Sequence, residues 1–172
     1  PSLPTSDWWE LTNFEDQTVD ISGWRFNDAS GDLTDAFVIP SGVVLHPGES
    51  VIFAEELTPA QFRTWWGTNV SSRTQIINYS GSGLSLAASG DSVRLWSSTA
   101  TSATSVATRA DFGTAVNGVT FNFDPATMVF GQKSVVGVNG VFKAGAATDI
   151  GSPGRIIAPP GAPVLRPAFN GF

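Results

Sequence analysis

The chain has no cysteine, a single histidine and only two lysines among its 172 residues. Without cysteine there is no disulfide, no thiolate metal site and no thiol nucleophile. No stretch approaches the roughly 18 consecutive apolar residues of a membrane-spanning helix, so none is expected. Charge is sparse: 9 basic residues against 15 acidic ones give a formal net charge of −6. Nucleic-acid binders present a basic patch to phosphates, and so few scattered cations cannot assemble one. DNA and RNA are therefore not expected as direct partners.

The chemistry that needs histidine is also poorly served. A nucleophile–His–acid triad requires an imidazole that shuttles protons. The sole candidate, His46, lies in a Leu-His-Pro-Gly turn, and no serine sits in a Gly-x-Ser-x-Gly elbow. Zinc wants three or four clustered ligands, which one His and no Cys do not provide. Glu55 and Glu56 are adjacent, so in a strand they point to opposite faces; they are expected to end a strand and lead into a helix, not to form a hydrolytic carboxylate pair. No catalytic residues and no catalytic cofactor are expected.

What is present is an all-β pattern. Hydrophobic residues make up 41%, enough for one core. Short β-branched or aromatic runs alternate with Gly, Pro, Asn and Asp. Trp8-Trp9-Glu10-Leu11-Thr12-Asn13 places Trp9 and Leu11 on one face and Trp8, Glu10 and Thr12 on the other. Further strands are expected around 19–21, 24–26, 37–39, 43–45 and 50–55, then at 74–78, 92–97, 105–112, 119–123 and 135–138. Ser89-Gly90-Asp91, Asn117-Gly118 and Asn139-Gly140 read as hairpin turns. One helix interrupts the series: Thr58-Pro59-Ala60-Gln61 supplies an N-cap, a first-turn Pro and a Gln three residues after the cap, and Gly67 ends it after Trp66. Residues 1–155 are expected to form one sandwich and 156–172, rich in Pro and Gly, a tail or linker. Pro1-Ser2-Leu3-Pro4 reads as a processed, excised or partial start.

Several of these segments carry a family resemblance. Asp7 to Asn13, Val19-Asp20-Ile21-Ser22-Gly23-Trp24, Ile39-Pro40 and Leu45-His46-Pro47-Gly48-Glu49-Ser50-Val51-Ile52-Phe53 resemble the bacterial branch of the lamin-tail domain family. Gly90-Asp91-Ser92-Val93-Arg94-Leu95-Trp96 is similar to its late strand, and Ile150-Gly151-Ser152-Pro153-Gly154 to its closing motif. The likeness runs over roughly residues 7 to 154 and is loose after Phe123. It implies an immunoglobulin-like β-sandwich without catalytic residues, of the kind appended to secreted hydrolases and surface proteins. The residues themselves have folding roles: Asn13 to close a turn through its side chain, Gly23 to supply a positive φ. The family's usual opening strand has no room in the six residues before Asp7, so either that strand belongs to a missing piece or the edge it would cover is filled otherwise.

Three clusters remain as candidates for function. Asp28, Ser30, Asp32 and Asp35 alternate oxygen side chains as calcium would want; Leu33 and Ile39 stand where an EF-hand has Gly and Glu, so a solvated acidic turn is the commoner outcome. Trp8, Trp65 and Trp66 are candidate surface aromatics for a glycan or protein partner. Trp65 and Trp66 lie about 100° apart on the helix, so at most one is expected to face the core fully. Val164, Leu165 and Phe169, in the tail, could add a strand to a neighbouring molecule's open edge and build a homo-oligomer. The composition fits a bacterial secreted or cell-surface protein, because a cysteine-free chain needs no oxidative folding. The function expected is a non-catalytic extracellular binding or adhesion module. The alternatives are a self-associating structural subunit or an accessory domain of a secreted hydrolase.

Overall fold

A computed structural model describes residues 6–29, 31–80 and 85–156, together with the backbone of Ala168–Asn170. The first strands are β1 (Trp8–Thr12), β2 (Val19–Asp20), β3 (Arg25–Asn27), β4 (Phe37–Val38), β5 (Val44–Leu45) and β6 (Ser50–Glu55). Helix α1 (Pro59–Trp66) follows, then β7 (Gln75–Tyr79), β8 (Asp91–Trp96) and β9 (Thr108–Phe112). The later part adds β10 (Phe121–Asp124), β11 (Val129–Lys133), β12 (Phe142–Lys143), β13 (Ile150–Gly151) and β14 (Ala168–Asn170).

Two four-stranded sheets, β14-β1-β6-β7 and β4-β3-β8-β9, enclose the main core. The alternation along β1 works as expected: Trp9 and Leu11 enter the interior with Phe26, Val51, Phe53, Tyr79, Val93 and Leu95. Trp9 stacks on Phe53 at 4.3 Å and meets Phe26 edge-on at 4.6 Å, so three strands converge on one indole. Aromatic pairs of this kind stabilise by about 1 kcal/mol beyond their buried area. Asn13 closes the turn after β1 as its position suggests. Its side-chain amide donates to the Gln17 and Leu45 carbonyls and its oxygen accepts from the Glu15 N–H. Gly23 takes the positive φ of +72°. This is an immunoglobulin-like β-sandwich with one short helix.

The helix forms where its caps say it should. Thr58 accepts from the Gln61 N–H, Gln61 reaches back to the Thr58 N–H, and Gly67 ends the last turn with φ +80°. Because β6 and β7 pair in parallel, the chain needs a crossover between them, and α1 provides it. The helix packs on the outer face of the β1–β6 sheet, where Phe62, Trp65 and Trp66 join Trp8, Ile52, Ala54, Leu57 and Phe142 in a second core. The molecule is thus three layers deep on this side, and β1 is buried along its whole length.

Other expectations need correction. Residues 135–138 form turns, not a strand: Val135 and Val136 are more than half exposed, and Gly137, Asn139 and Gly140 all have positive φ. Their β-branched composition has no neighbouring strand to pair with. The strand in this region is β11, which pairs with β10. Ser89-Gly90-Asp91 closes no hairpin, since β7 and β8 belong to different sheets; it leads the chain across the sandwich. Ala168–Asn170 pair antiparallel with Thr12–Glu10, so the C-terminal segment supplies a strand at the edge of β1 and is not wholly a tail.

Candidate functional site

The three candidate surface tryptophans are interior residues. Trp8, Trp65 and Trp66 are 1%, 5% and 0% exposed. Trp8 does point away from Trp9, but that outer face is covered: its ring meets Phe62 and Trp66 edge-on at 5.5 and 5.3 Å. Both helix tryptophans are buried because α1 is flanked on two sides, by the sheet beneath and by the segment after Val141 beside it. Phe142 packs on Trp66 at 5.7 Å, and the Gly145 and Ala146 amides donate to the Trp66 and Trp65 carbonyls. A two-layer sandwich would have left one indole in water; the third layer removes both.

The rings nonetheless floor a cleft of about 480 Å³, of the size that takes small ligands or side chains. One wall comes from Asp7, Trp8 and the 86–88 segment, the other from 115–118 and 147–149. Two carboxylates face it and, among the described residues, no Arg, Lys or His lines it. The Asp149 carboxylate accepts the Trp65 indole N–H at 2.7 Å, which fixes both groups. Asp7 accepts the Leu86 N–H at 3.2 Å. Burial pushes the Asp7 carboxyl above its ordinary range; the Leu86 amide opposes that shift and the nearby Asp91 charge adds to it. Burial, with repulsion from Asp7, raises Glu55 as well.

No local pattern in the chain signals this pairing. Asp7 belongs to the Asp-Trp-Trp run, but Asp149 lies 84 residues from its indole partner and carries no local signal. Glu10 was equally hidden. It is fully buried on the outer face of β1, accepts the Gly154 N–H at 3.0 Å through one oxygen, and has a second oxygen without a hydrogen-bond partner. Burial raises its pKa to about 8, against partial relief from the Ser50 hydroxyl and the Gly154 amide. Glu10 is therefore a neutral acid at pH 7.

The acidic loop is folded on itself. Asp28 accepts from the Gly31 N–H, Asp32 from the Thr34 N–H and hydroxyl, and Asp35 from the Asp32 N–H and the Asn27 amide. These bonds, the Thr34 hydroxyl first, hold the Asp32 pKa below its usual value. Ser30 lies outside the described residues. Among those described, no three His, Cys, Asp or Glu side chains gather to hold a metal. The loop's oxygens serve its own amides, as they do in any well-formed Asx turn.

His46 stays an exposed turn residue, its Nδ1 2.9 Å from the Thr18 hydroxyl. Glu55 and Glu56 end β6, Glu56 with φ +52°. Of the tail residues expected to drive assembly, Val164 and Leu165 lie outside the described residues. Phe169 sits opposite Leu11 in β14, on the chain's own β1.

A family model described as the Lamin Tail Domain matches residues 2–110. No curated protein and no solved structure matches the chain. The match ends inside β9, so the sandwich strands up to that point and the crossover helix lie within it, while β10 to β13 and the far wall of the cleft lie beyond. On that match and this architecture, the chain belongs to the lamin tail domain family.

Proposed function

We propose that this chain is a non-catalytic recognition module of a bacterial secreted or cell-surface protein, and that the cleft between Asp7 and Asp149 receives its partner. The family it belongs to comprises non-enzymatic immunoglobulin-like domains. The observation that carries the reading is the cleft itself. Its floor is family sandwich and helix, its far wall is the later segment, and a hydrogen bond between Trp65 and Asp149 locks the two together. A rigid, partly apolar concavity with a few fixed polar groups is what a binding site requires. A cysteine-free chain needs no oxidative folding, which is compatible with export.

The test fills the cleft without touching the core. Ala88 is exposed and lines it. Peptide and glycan arrays probed with the whole chain and with Ala88→Trp should show a set of binders lost in the variant. Binders that survive the substitution unchanged would place recognition elsewhere, and turnover of any substrate by the chain alone would overturn the non-catalytic reading.

A second reading, self-association, is favoured by one observation: β1 pairs with a short C-terminal strand separated from Ile156 by the eleven residues 157–167. A strand held by three register pairs at an edge can be exchanged for another copy's. Size-exclusion chromatography of the full chain should then show concentration-dependent oligomers that vanish on truncation after Ile156. Oligomers unaltered by the truncation would rule exchange out.

A further inference from the structure

The wall chemistry of the cleft selects among partner types. Taking the cleft as the recognition site, we infer that it accepts a lysyl or arginyl side chain of a protein partner, with the cationic head between Asp7 and Asp149 and the aliphatic stem along the apolar wall. This goes beyond a generic binding surface in naming the chemistry recognised.

Four observations converge. The first is charge: two carboxylates face a concavity that no described cation lines, in a chain of net charge −6. Asp149 is anchored by the Trp65 indole and so cannot swing away to solvent. Among the described residues, the titratable groups acting on Asp7 are Asp91 on β8, Glu55 on β6 and Tyr79 on β7, all acidic or neutral. Burial raises its carboxyl above the ordinary range, a shift that a bound cation would oppose.

The second is shape. The lining near the carboxylates includes apolar surface from Ala87 and Ala88 on one wall, Val116 on the other and the indole edges. Long basic side chains bury their methylene stems on such surfaces while the head finds a counter-charge. At about 480 Å³ the space exceeds what one basic side chain fills, so it accommodates flanking peptide.

The third observation weighs against a sugar. Stacking needs an exposed ring face, and the three indoles are at most 5% exposed. The fourth weighs against a metal ion, since no three acidic or His side chains converge among the described residues. Trp66 adds a donor: its indole N–H is buried without a partner in a residue that lines the cleft. A peptide carbonyl beside the basic side chain is a suitable acceptor for it.

The experiment titrates the full chain with N-acetyl-lysine methylamide, the arginine analogue and the uncharged norleucine analogue. Binding is followed through the Trp65 indole N–H resonance. The lysine and arginine probes should shift that resonance, with the norleucine probe at least tenfold weaker. Asp7→Asn should weaken the cationic probes by about tenfold while leaving the folded spectrum intact, because an amide oxygen still accepts the Leu86 N–H. n-Butylamine serves as the free-amine arm: binding equal to that of the lysine probe would move the ligand class from peptide to small amine and overturn the inference. Equal binding of norleucine, or of a neutral oligosaccharide, would also overturn it while leaving the cleft as the recognition site. Silence of every probe at Trp65, with array binders insensitive to Ala88→Trp, would sink the cleft reading as well.

Discussion

Neutralising Glu10 permanently should flatten the pH dependence of folding. Its carboxyl is fully buried and its pKa rises from 4.5 in the unfolded chain to about 8 in the fold. The folded state therefore holds a proton that the unfolded state releases. For a raised acid the sign is fixed: stability is complete below pH 4.5 and is lost as pH climbs towards 8. Each pH unit inside that window removes about 1.4 kcal/mol, so the interval between about pH 5 and about pH 7.5 spans about 3 kcal/mol. With a urea slope of about 2 kcal/mol per molar, the unfolding midpoint of the native chain should fall by about 1.5 M across that interval. Asp7 and Glu55 are raised too and add slope of the same sign, so the informative quantity is the difference between native chain and variant. Glu10→Gln keeps the oxygen that accepts from Gly154 and cannot ionise, so its midpoint should fall much less. Asp20, Asp32 and Asp124 have lowered values, and their contributions are lost only as pH falls below the usual carboxylate range, outside the window. Urea melts monitored by tryptophan fluorescence at several pH values decide the matter. Parallel curves for native chain and Glu10→Gln would refute the argument, because a solvated Glu10 has nothing to lose.

Asn13→Ala removes three hydrogen bonds, two donated to the Gln17 and Leu45 carbonyls and one accepted from the Glu15 N–H. It should destabilise by about 3 kcal/mol in the same urea assay, and a loss below about 1 kcal/mol would show that water replaces the amide. Thr58→Ala dismantles the capping box and should cost about 1 kcal/mol, read as a lower thermal midpoint with an unchanged urea slope. Glycine substitutions should separate strain from crowding. Gly42→Ala, at φ +85° with open space around it, should cost about 1 kcal/mol. Gly140→Ala, at φ +79° and directly against the Arg155 carbonyl, should cost several-fold more. Equal melting temperatures for the two variants would contradict the close approach.

The sandwich was legible because its signals are local. Parity places Trp9 and Leu11 inside from the sequence alone, and β6 has the bounds its β-branched run suggests. The helix was legible from Thr58, Pro59, Gln61 and Gly67, whose roles are written in a ten-residue window. What could not be read was the third layer. Burial of Trp8, Trp65 and Trp66 depends on Phe142 and Ala144, some eighty residues beyond the helix and farther still from Trp8, and no periodicity connects such distant segments. The same distance hid the cleft, since Asp149 acquires its meaning only beside Trp65. Residues 135–138 misled for the opposite reason: they have strand composition but no partner, and strand propensity expresses itself only within a sheet.

The third layer also explains why a fully buried acid is tolerated in β1. Glu10 accepts from Gly154, and Asn122 donates to Ser152 while Thr120 and Ser134 share a hydroxyl contact at 2.7 Å. Glu10, Thr120, Asn122, Ser134 and Ser152 are buried and Gly154 half-buried; the Glu10–Gly154 bond joins the later segment to the sheet, and the other two contacts brace that segment internally. An apolar interface tolerates sliding, because one methyl contact resembles the next. A buried polar group does not, since each displacement leaves an unpaired donor or acceptor at a cost of about 1–3 kcal/mol. The Glu10–Gly154 bond, with the Trp65–Asp149 bond, thus favours one placement of the later segment on the sandwich. That placement sets the distance between the two walls of the cleft, because Asp149 belongs to the later segment and Asp7 leads into β1. Ionising Glu10 would leave a charge buried beneath the later segment, a cost relieved if that segment opens to water. Raising the pH should therefore loosen the Asp149 wall before the main core responds, and the Trp65 indole resonance should broaden at a lower pH than any resonance of Trp9.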